Sequence, residues 1–259
     1  MTRDLQDSRD ILKRMRGDIL EASTVSQEGH IPSAFSVLEM IYSIYFGNWN
    51  IDNKVNFDFV LSKGHASLAL YAVLEEVKYI GGEWKADFAK FDSDYGGHPD
   101  ANKIPGVSAS TGSLGHGLPF ALGKAMANRV TMKEKKVFCL VGDGEMNEGT
   151  IWESLLLASH HNVHELVVLV DLNHSSDRAL ALGDVKAKFE AFGYQCVEVD
   201  GNDLRQINEA LEMSKSNTLT AILGNTIKGY GLKAMENNPA WHHLSPKSDQ
   251  LNELKIDLI

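Results

Sequence analysis

Two short apolar runs separated by a helix-length spacer constrain this chain more than any other feature. The first begins Val137-Phe-Cys-Leu-Val-Gly-Asp-Gly-Glu-Met-Asn-Glu-Gly149, and the second is Leu166-Val-Val-Leu-Val-Asp-Leu-Asn173. Uninterrupted apolar residues at 137–141 and 166–170 predict strands buried on both faces. Gly142 and Gly144 flank Asp143, where the backbone can turn sharply and approach a ligand closely. In the spacer, Ile151, Leu155 and Ala158 recur at helical spacing with Trp152 and Leu156 beside them. Strand, helix, strand predicts a right-handed parallel crossover. It places Asp143 and Asn173 at the carboxyl ends of two strands of one sheet, the rim where open α/β sheets bind ligands.

A carboxylate and a carboxamide on such a rim suit a hard cation. Magnesium takes few protein oxygens and completes its octahedron with water and phosphate oxygens. The same residues also fit an ordinary strand-to-helix turn with a solvated Asp and an Asn cap. Gly-Asp-Gly followed, one helix and one strand later, by Asn resembles the thiamine diphosphate signature, with Gly142, Asp143, Gly144 and Asn173 in the matching places.

The chain's 259 residues, 43% of them hydrophobic, are enough for a sizeable core and argue against disorder. A net charge of −10 argues against a nucleic-acid backbone as partner. Cys139 and Cys196 are the only cysteines, too few for a disulfide framework or a zinc site, and Cys139 reads as a small core hydrophobe. The stretch Met1-Thr-Arg-Asp-Leu-Gln-Asp has no signal-peptide core, and no apolar run is long enough to cross a bilayer. A cytoplasmic protein with no membrane partner is expected.

Taken in order, residues 8–26 predict a helix with Ile11, Met15, Ile19 and Ala22 on one face. Gly29-His30-Ile-Pro-Ser33 is expected to break it before a second helix over 34–46, leaving His30 as a cap or surface residue. A strand at 57–61 leads through Ser62-Lys-Gly-His65 into a helix over 66–77. His65 there either donates to an anionic oxygen or caps the helix. Residues 78–111 read as a long irregular loop, a length that often serves function or forms a lid. Ser110-Thr-Gly-Ser-Leu-Gly-His-Gly117 precedes a helix over 118–128, so its glycines either cradle a diphosphate or permit close packing. Strands at 194–199 and 219–224 bracket a helix over 203–214, and a short helix closes the chain. His242-His243 suggests a metal pair, but adjacent residues rarely hold one ion without further ligands. No repeat or linker interrupts residues 1–259, so one doubly wound, mostly parallel α/β domain with helices on both faces is expected.

Eight motifs then resemble transketolase, in its order. They are Leu61-Ser-Lys-Gly-His-Ala-Ser-Leu-Ala-Leu-Tyr71, Gly97-His-Pro-Asp100, Pro105-Gly-Val, Ser110-Thr-Gly-Ser-Leu-Gly115, Gly142-Asp-Gly-Glu-Met-Asn-Glu-Gly149, Ala191-Phe-Gly193, Val199-Asp-Gly201 and Thr226-Ile-Lys-Gly-Tyr-Gly231. They span the diphosphate-binding domain alone, so the chain is similar to the N-terminal subunit of a split transketolase. The resemblance implies that Asp143, Asn173 and the Ser175 carbonyl hold magnesium, with calcium or manganese as substitutes. It implies that Gly144, Gly112 and His65 meet the diphosphate, that Leu114 flanks the cofactor rings, and that Ser113, Asn173 and His242 belong to the same cofactor site. His30, His98 and His242 would line the sugar channel, where hydroxyl and carbonyl oxygens need donors and proton carriers. Glu148 and Glu153 match acidic positions that link paired active sites.

The resemblance further implies ketol transfer from a ketose or its phosphate to an aldose, the cofactor supplying the reactive carbon. The glutamate that activates the cofactor comes, in the family, from a pyrimidine-binding domain. The chain alone is therefore expected to be inactive, and to work as a dimer completed to a heterotetramer by a C-terminal transketolase subunit. His116, Asp94 and Asp177 depart from the family pattern and put the usual pentose phosphates in question. Rival readings are another thiamine diphosphate enzyme, of the deoxyxylulose phosphate synthase or 2-oxo acid dehydrogenase kind, or a non-catalytic relic that binds a partner.

Overall fold

The computed structural model describes residues 5–47, 57–133, 135–177 and 179–259. Met1 to Asp4, part of the stretch without a signal-peptide core, and Arg178, beside the Asp177 departure, lie outside them. Five parallel strands form one sheet: β1 (Phe57–Leu61), β2 (Lys136–Gly142), β3 (Leu166–Leu172), β4 (Gln195–Asp200) and β5 (Thr220–Asn225), in the order β1-β2-β3-β5-β4.

Strand side chains alternate between two cores, which is why the central strands read as unbroken apolar runs. Phe138 and Leu140 of β2, with Val167 and Leu169 of β3, enter one core. Against them pack α1 (Leu5–Ser26), α2 (Ile31–Phe46), α3 (Ser67–Glu76) and α8 (Leu204–Met213). Val137, Cys139 and Val141, with Val168 and Val170, enter the other core, under α5 (Gly117–Val130), α6 (Gly149–His160) and α7 (Val185–Ala191). The doubly wound α/β architecture with helices on both faces is the one expected. β4, at one edge, is the most exposed of the five strands, and its Glu198 pairs with Lys186 at 3.0 Å.

One reading of the sequence needs correction. Gly29 to Ser33 is not a break throughout: α2 already starts at Ile31 with Pro32 in its first turn, where a missing N–H leaves no bond unmade. The segment 78–111 is mostly irregular, as expected, but not loose. It contains a short helix, α4 (Trp84–Asp87), whose fully buried Trp84 donates Nε1–H to Glu75 Oε2 at 2.7 Å. Tyr71 and Ser67 of α3 donate to the carbonyls of Gly96 (2.8 Å) and Gly97 (2.9 Å). The segment is thereby fastened to α3. A ninth helix, α9 (Leu251–Ile256), closes against α1.

Candidate active site

The carboxyl ends of β1, β2, β3 and β5 converge, and the residues just beyond them build the site. Asp143 follows β2 and caps the next turn, its Oδ1 accepting the Gly144 N–H at 2.7 Å. Its Oδ2 is buried and lacks a hydrogen-bond partner among the described residues. Burial and the neighbouring Asp171 raise the Asp143 carboxyl above its ordinary range, against the pull of the Gly144 N–H, of Lys63 and of the nearby Ser176 N–H, which falls short of a well-formed hydrogen bond to Oδ2. A buried carboxylate oxygen left unmatched is costly unless a cation meets it. Beside it Asn173 follows β3, with its Nδ2 donating to Asp171 Oδ2 at 2.8 Å and its Oδ1 accepting the Ser175 N–H at 3.1 Å.

Two buried carboxylates that the sequence reading passed over hold this rim together. Asp171, fully buried, accepts from Lys63 Nζ, from Ser36 Oγ at 3.0 Å and from Thr226 Oγ1 as well as from Asn173. Burial alone would push its carboxyl up, but the Lys63 ammonium and these donors hold it below the ordinary range. Glu145 accepts from Ser62 Oγ, from the Gly115 N–H at 2.9 Å and from the Gly142 N–H at 3.2 Å. It ties the end of β1, the glycine loop and the end of β2 to one side chain. Burial raises its carboxyl despite these bonds. Lys63 and Glu145 sit in glycine-rich motifs, where a charged residue reads as solvated. Their one sequence signal is that each lies just past an apolar strand, Lys63 after β1 and Glu145 after β2.

Histidines form the opposite wall. His30 precedes α2 without a capping bond, His65 lies in the turn between β1 and α3, and His242 follows a single turn at Pro239–Trp241. The His30 ring stands 5.2 Å from that of His65 and 5.8 Å from that of His242. Burial, then the neighbouring His243 and His242, push His30 down to about 4. Burial and Lys63 push His65 down to about 2. His242 is lowered by burial and by Lys228, whose Nζ lies 3.4 Å from its Nδ1. All three are neutral imidazoles at pH 7, able to accept one hydrogen bond and donate another.

These groups surround a cleft of about 410 Å³. The expected metal ligands Asp143, Asn173 and Ser175 line it, as do Gly112, Leu114, Gly144 and His65 of the expected cofactor site and His30, His98 and His242 of the expected channel. Lys63, Glu145 and Lys228 join them. Ser113 does not line it; its hydroxyl faces His116 Nδ1 at 3.3 Å. Glu148 and Glu153 also stay outside, exposed at and beyond the start of α6. Of the departures, Asp94 faces Lys103, Asp177 bonds His174 Nδ1 at 3.0 Å, and His116 precedes α5, all exposed and none lining the cleft.

The unmatched Asp143 oxygen, a carboxamide oxygen beside it and bare glycine backbone make an oxygen donor set for a hard cation. Lysine and histidine around it supply donors for phosphate. Residues 8–258 match the family model described as "Transketolase, thiamine diphosphate binding domain". The chain belongs to the transketolase family. It is 36% identical over 242 residues to an apulose-4-phosphate transketolase subunit of Actinobacillus succinogenes, covering 88% of each chain. It is 34% identical to human transketolase, of which it covers 40%. The fold superposes on transketolase from Campylobacter jejuni with a TM-score of 0.86 at 26% identity, over 94% of this chain and 41% of that one. The expectation of a transketolase-type transferase, carrying the thiamine diphosphate-binding part, is met.

Proposed function

We propose that this chain is the N-terminal, diphosphate-binding subunit of a split transketolase, forming one domain over residues 1–259 and working in the cytoplasm. A relative of which it covers 88% is itself named as one subunit of a transketolase, which supports the split. No helix among the described residues is long and apolar enough to cross a membrane. Asp143, Asn173 and Ser175 hold magnesium, which calcium or manganese replaces, and Gly112, Gly144 and His65 meet the diphosphate, with Lys228 adding positive charge. Thiamine diphosphate, once bound, supplies the carbon nucleophile and electron sink for ketol transfer. His30, His98 and His242 bind the hydroxyl and carbonyl oxygens of the sugar, His30 and His242 accepting and donating as neutral imidazoles.

The reaction needs a second chain. In the family the activating glutamate belongs to the pyrimidine-binding half, and here we assign it to a C-terminal partner. Exposed Leu156 and Leu157 on α6 and Phe120 on α5, near Glu148 and Glu153, give an outward apolar face for self-association and docking of that partner, a heterotetramer in all. The relative's name makes apulose 4-phosphate the first donor to assay.

The observation that carries this reading is the buried, unmatched Oδ2 of Asp143 beside Asn173. Calorimetry with magnesium and thiamine diphosphate tests it: Asp143→Ala should bind the cofactor at least about tenfold more weakly than the parent. Equal affinity would remove the site assignment.

A further inference from the structure

The His242-His243 pair is not left as two adjacent imidazoles, because the fold brings His30 against it. One ligating atom from each of the three lies within 4.8 Å of the others. The His30 and His243 rings are 4.1 Å apart between centroids, and those of His242 and His243 are 4.7 Å apart. We propose that His30, His242 and His243 form a second metal site, at the mouth of the cleft, that takes a borderline transition-metal cation of the Zn²⁺, Co²⁺ or Ni²⁺ class.

Three protein imidazoles with a fourth position open to water is a standard zinc arrangement. A tetrahedral ion with about 2.0 Å bonds requires a mutual nitrogen spacing of roughly 3.3 Å, so the ligand atoms must close from the 4.8 Å within which they lie. His242 and His243 are exposed, and His30 spends no hydrogen bond on capping α2. Lys228 faces Nδ1 of His242, so Nε2 is the atom left for a metal. Its ammonium lowers affinity for any cation there but does not occupy the trio's centre.

Ligand chemistry keeps this site apart from the one at Asp143. Imidazole selects zinc, nickel and copper, whereas magnesium and calcium want carboxylate, carbonyl and water oxygens. Excess magnesium therefore leaves the trio open while filling the oxygen site. The metal site stands on the trio's geometry alone. Its consequence rests on the sugar-channel reading of the cleft: a cation on His30 and His242 withdraws both from the sugar and inhibits turnover against sugar, not against cofactor.

The test is titration of the untagged, chelator-treated full chain with Co²⁺ in excess Mg²⁺, followed by visible absorption and calorimetry. The parent should bind one equivalent, with the intense d–d bands of a tetrahedral ion. His243→Ala and His30→Ala should each bind at least about tenfold more weakly, the lower end of what even an outer partner of a metal ligand contributes. The paired change His160→Ala with His161→Ala, at the other adjacent pair, should leave the titration unchanged. Because His243 is exposed, its variant should melt at the parent temperature. No saturable Co²⁺ binding, a His243→Ala curve superimposed on the parent's, or loss of binding in the His160/His161 variant would each overturn the site. Thiamine diphosphate binding, measured separately, tests the functional reading without touching this one.

Discussion

The carboxamide of Asn173 donates to Oδ2 of Asp171 at 2.8 Å, and that bond decides which end of the amide is offered to the cleft. With Nδ2 committed to the carboxylate, Oδ1 turns toward Ser175 and the space beside Asp143. The proposed cation ligand is thus aligned by a carboxylate outside the proposed donor set, as outer partners commonly align metal ligands. Asp171 can play this part because Lys63 neutralises it inside the protein.

Breaking that buried pair on one side should be far worse than replacing both partners. Asp171→Leu strands the Lys63 ammonium, both side chains being almost wholly buried, and should lower stability by about 3–5 kcal/mol. Adding Lys63→Met should recover most of the loss, since a well-packed apolar pair is often neutral against an ion pair. Urea denaturation of the two variants decides the matter. A double variant as unstable as the single one would show that the pair's charge is not the issue.

Acid should weaken the fold through its histidines. His65 titrates near 6.5 when unfolded and is pushed down to about 2 in the fold. Between those values the unfolded chain holds a proton that the folded chain refuses, so stability falls as pH falls below 6.5. His30, pushed to about 4, adds to the loss over the upper part of that window. Urea midpoints measured at mildly alkaline and mildly acidic pH should therefore differ less for His65→Gln than for the parent. Parallel pH profiles would mean that His65 is not held neutral by the fold.

Gly117 should be a packing glycine. A Cβ there would lie 2.6 Å from Ser62 Cα and closer still to its side chain, with backbone that cannot swing aside. Gly117→Ala should cost about 1–3 kcal/mol or more by overpacking the junction of β1 and α5. An unchanged thermal midpoint would contradict the contact.

The outward face of α6 should matter for assembly and not for folding. Leu156 is 59% exposed, so Leu156→Glu should leave the melting temperature unchanged while weakening self-association in sedimentation. A variant that sediments as the parent does at every concentration would move the interface elsewhere.

The two central strands were legible because both their faces are covered: β2 and β3 carry no polar interruption until Asp171, the residue that turns out to be buried and paired. The glycines were legible as a class but not one by one. Gly112 lines the cleft, whereas Gly115 and Gly117 make room for Glu148 and Ser62. Lys63, Glu145 and Lys228 were missed because charge is read as solvent-facing from sequence, and only tertiary packing shows that Lys63 and Glu145 are buried. Pro32 misled through the breaker rule, which does not hold in a helix's first turn. His243 was seen beside His242, but its contact with His30 belongs to the fold and not to any spacing along the chain.

The fastening of segment 78–111 to α3 through Trp84, Tyr71 and Ser67 makes the two sides of the cleft unequal in how they can evolve. His98 is carried by a segment rooted in the core, and moving it means repacking Trp84 and Phe88. His242 and His243 sit on an exposed single turn, where one substitution changes the wall and disturbs nothing beneath it. If the cleft takes a sugar as proposed, new preferences in chains of this kind are cheapest to reach from the His242 side, by point changes at the rim, while the opposite wall changes only together with the interior it belongs to.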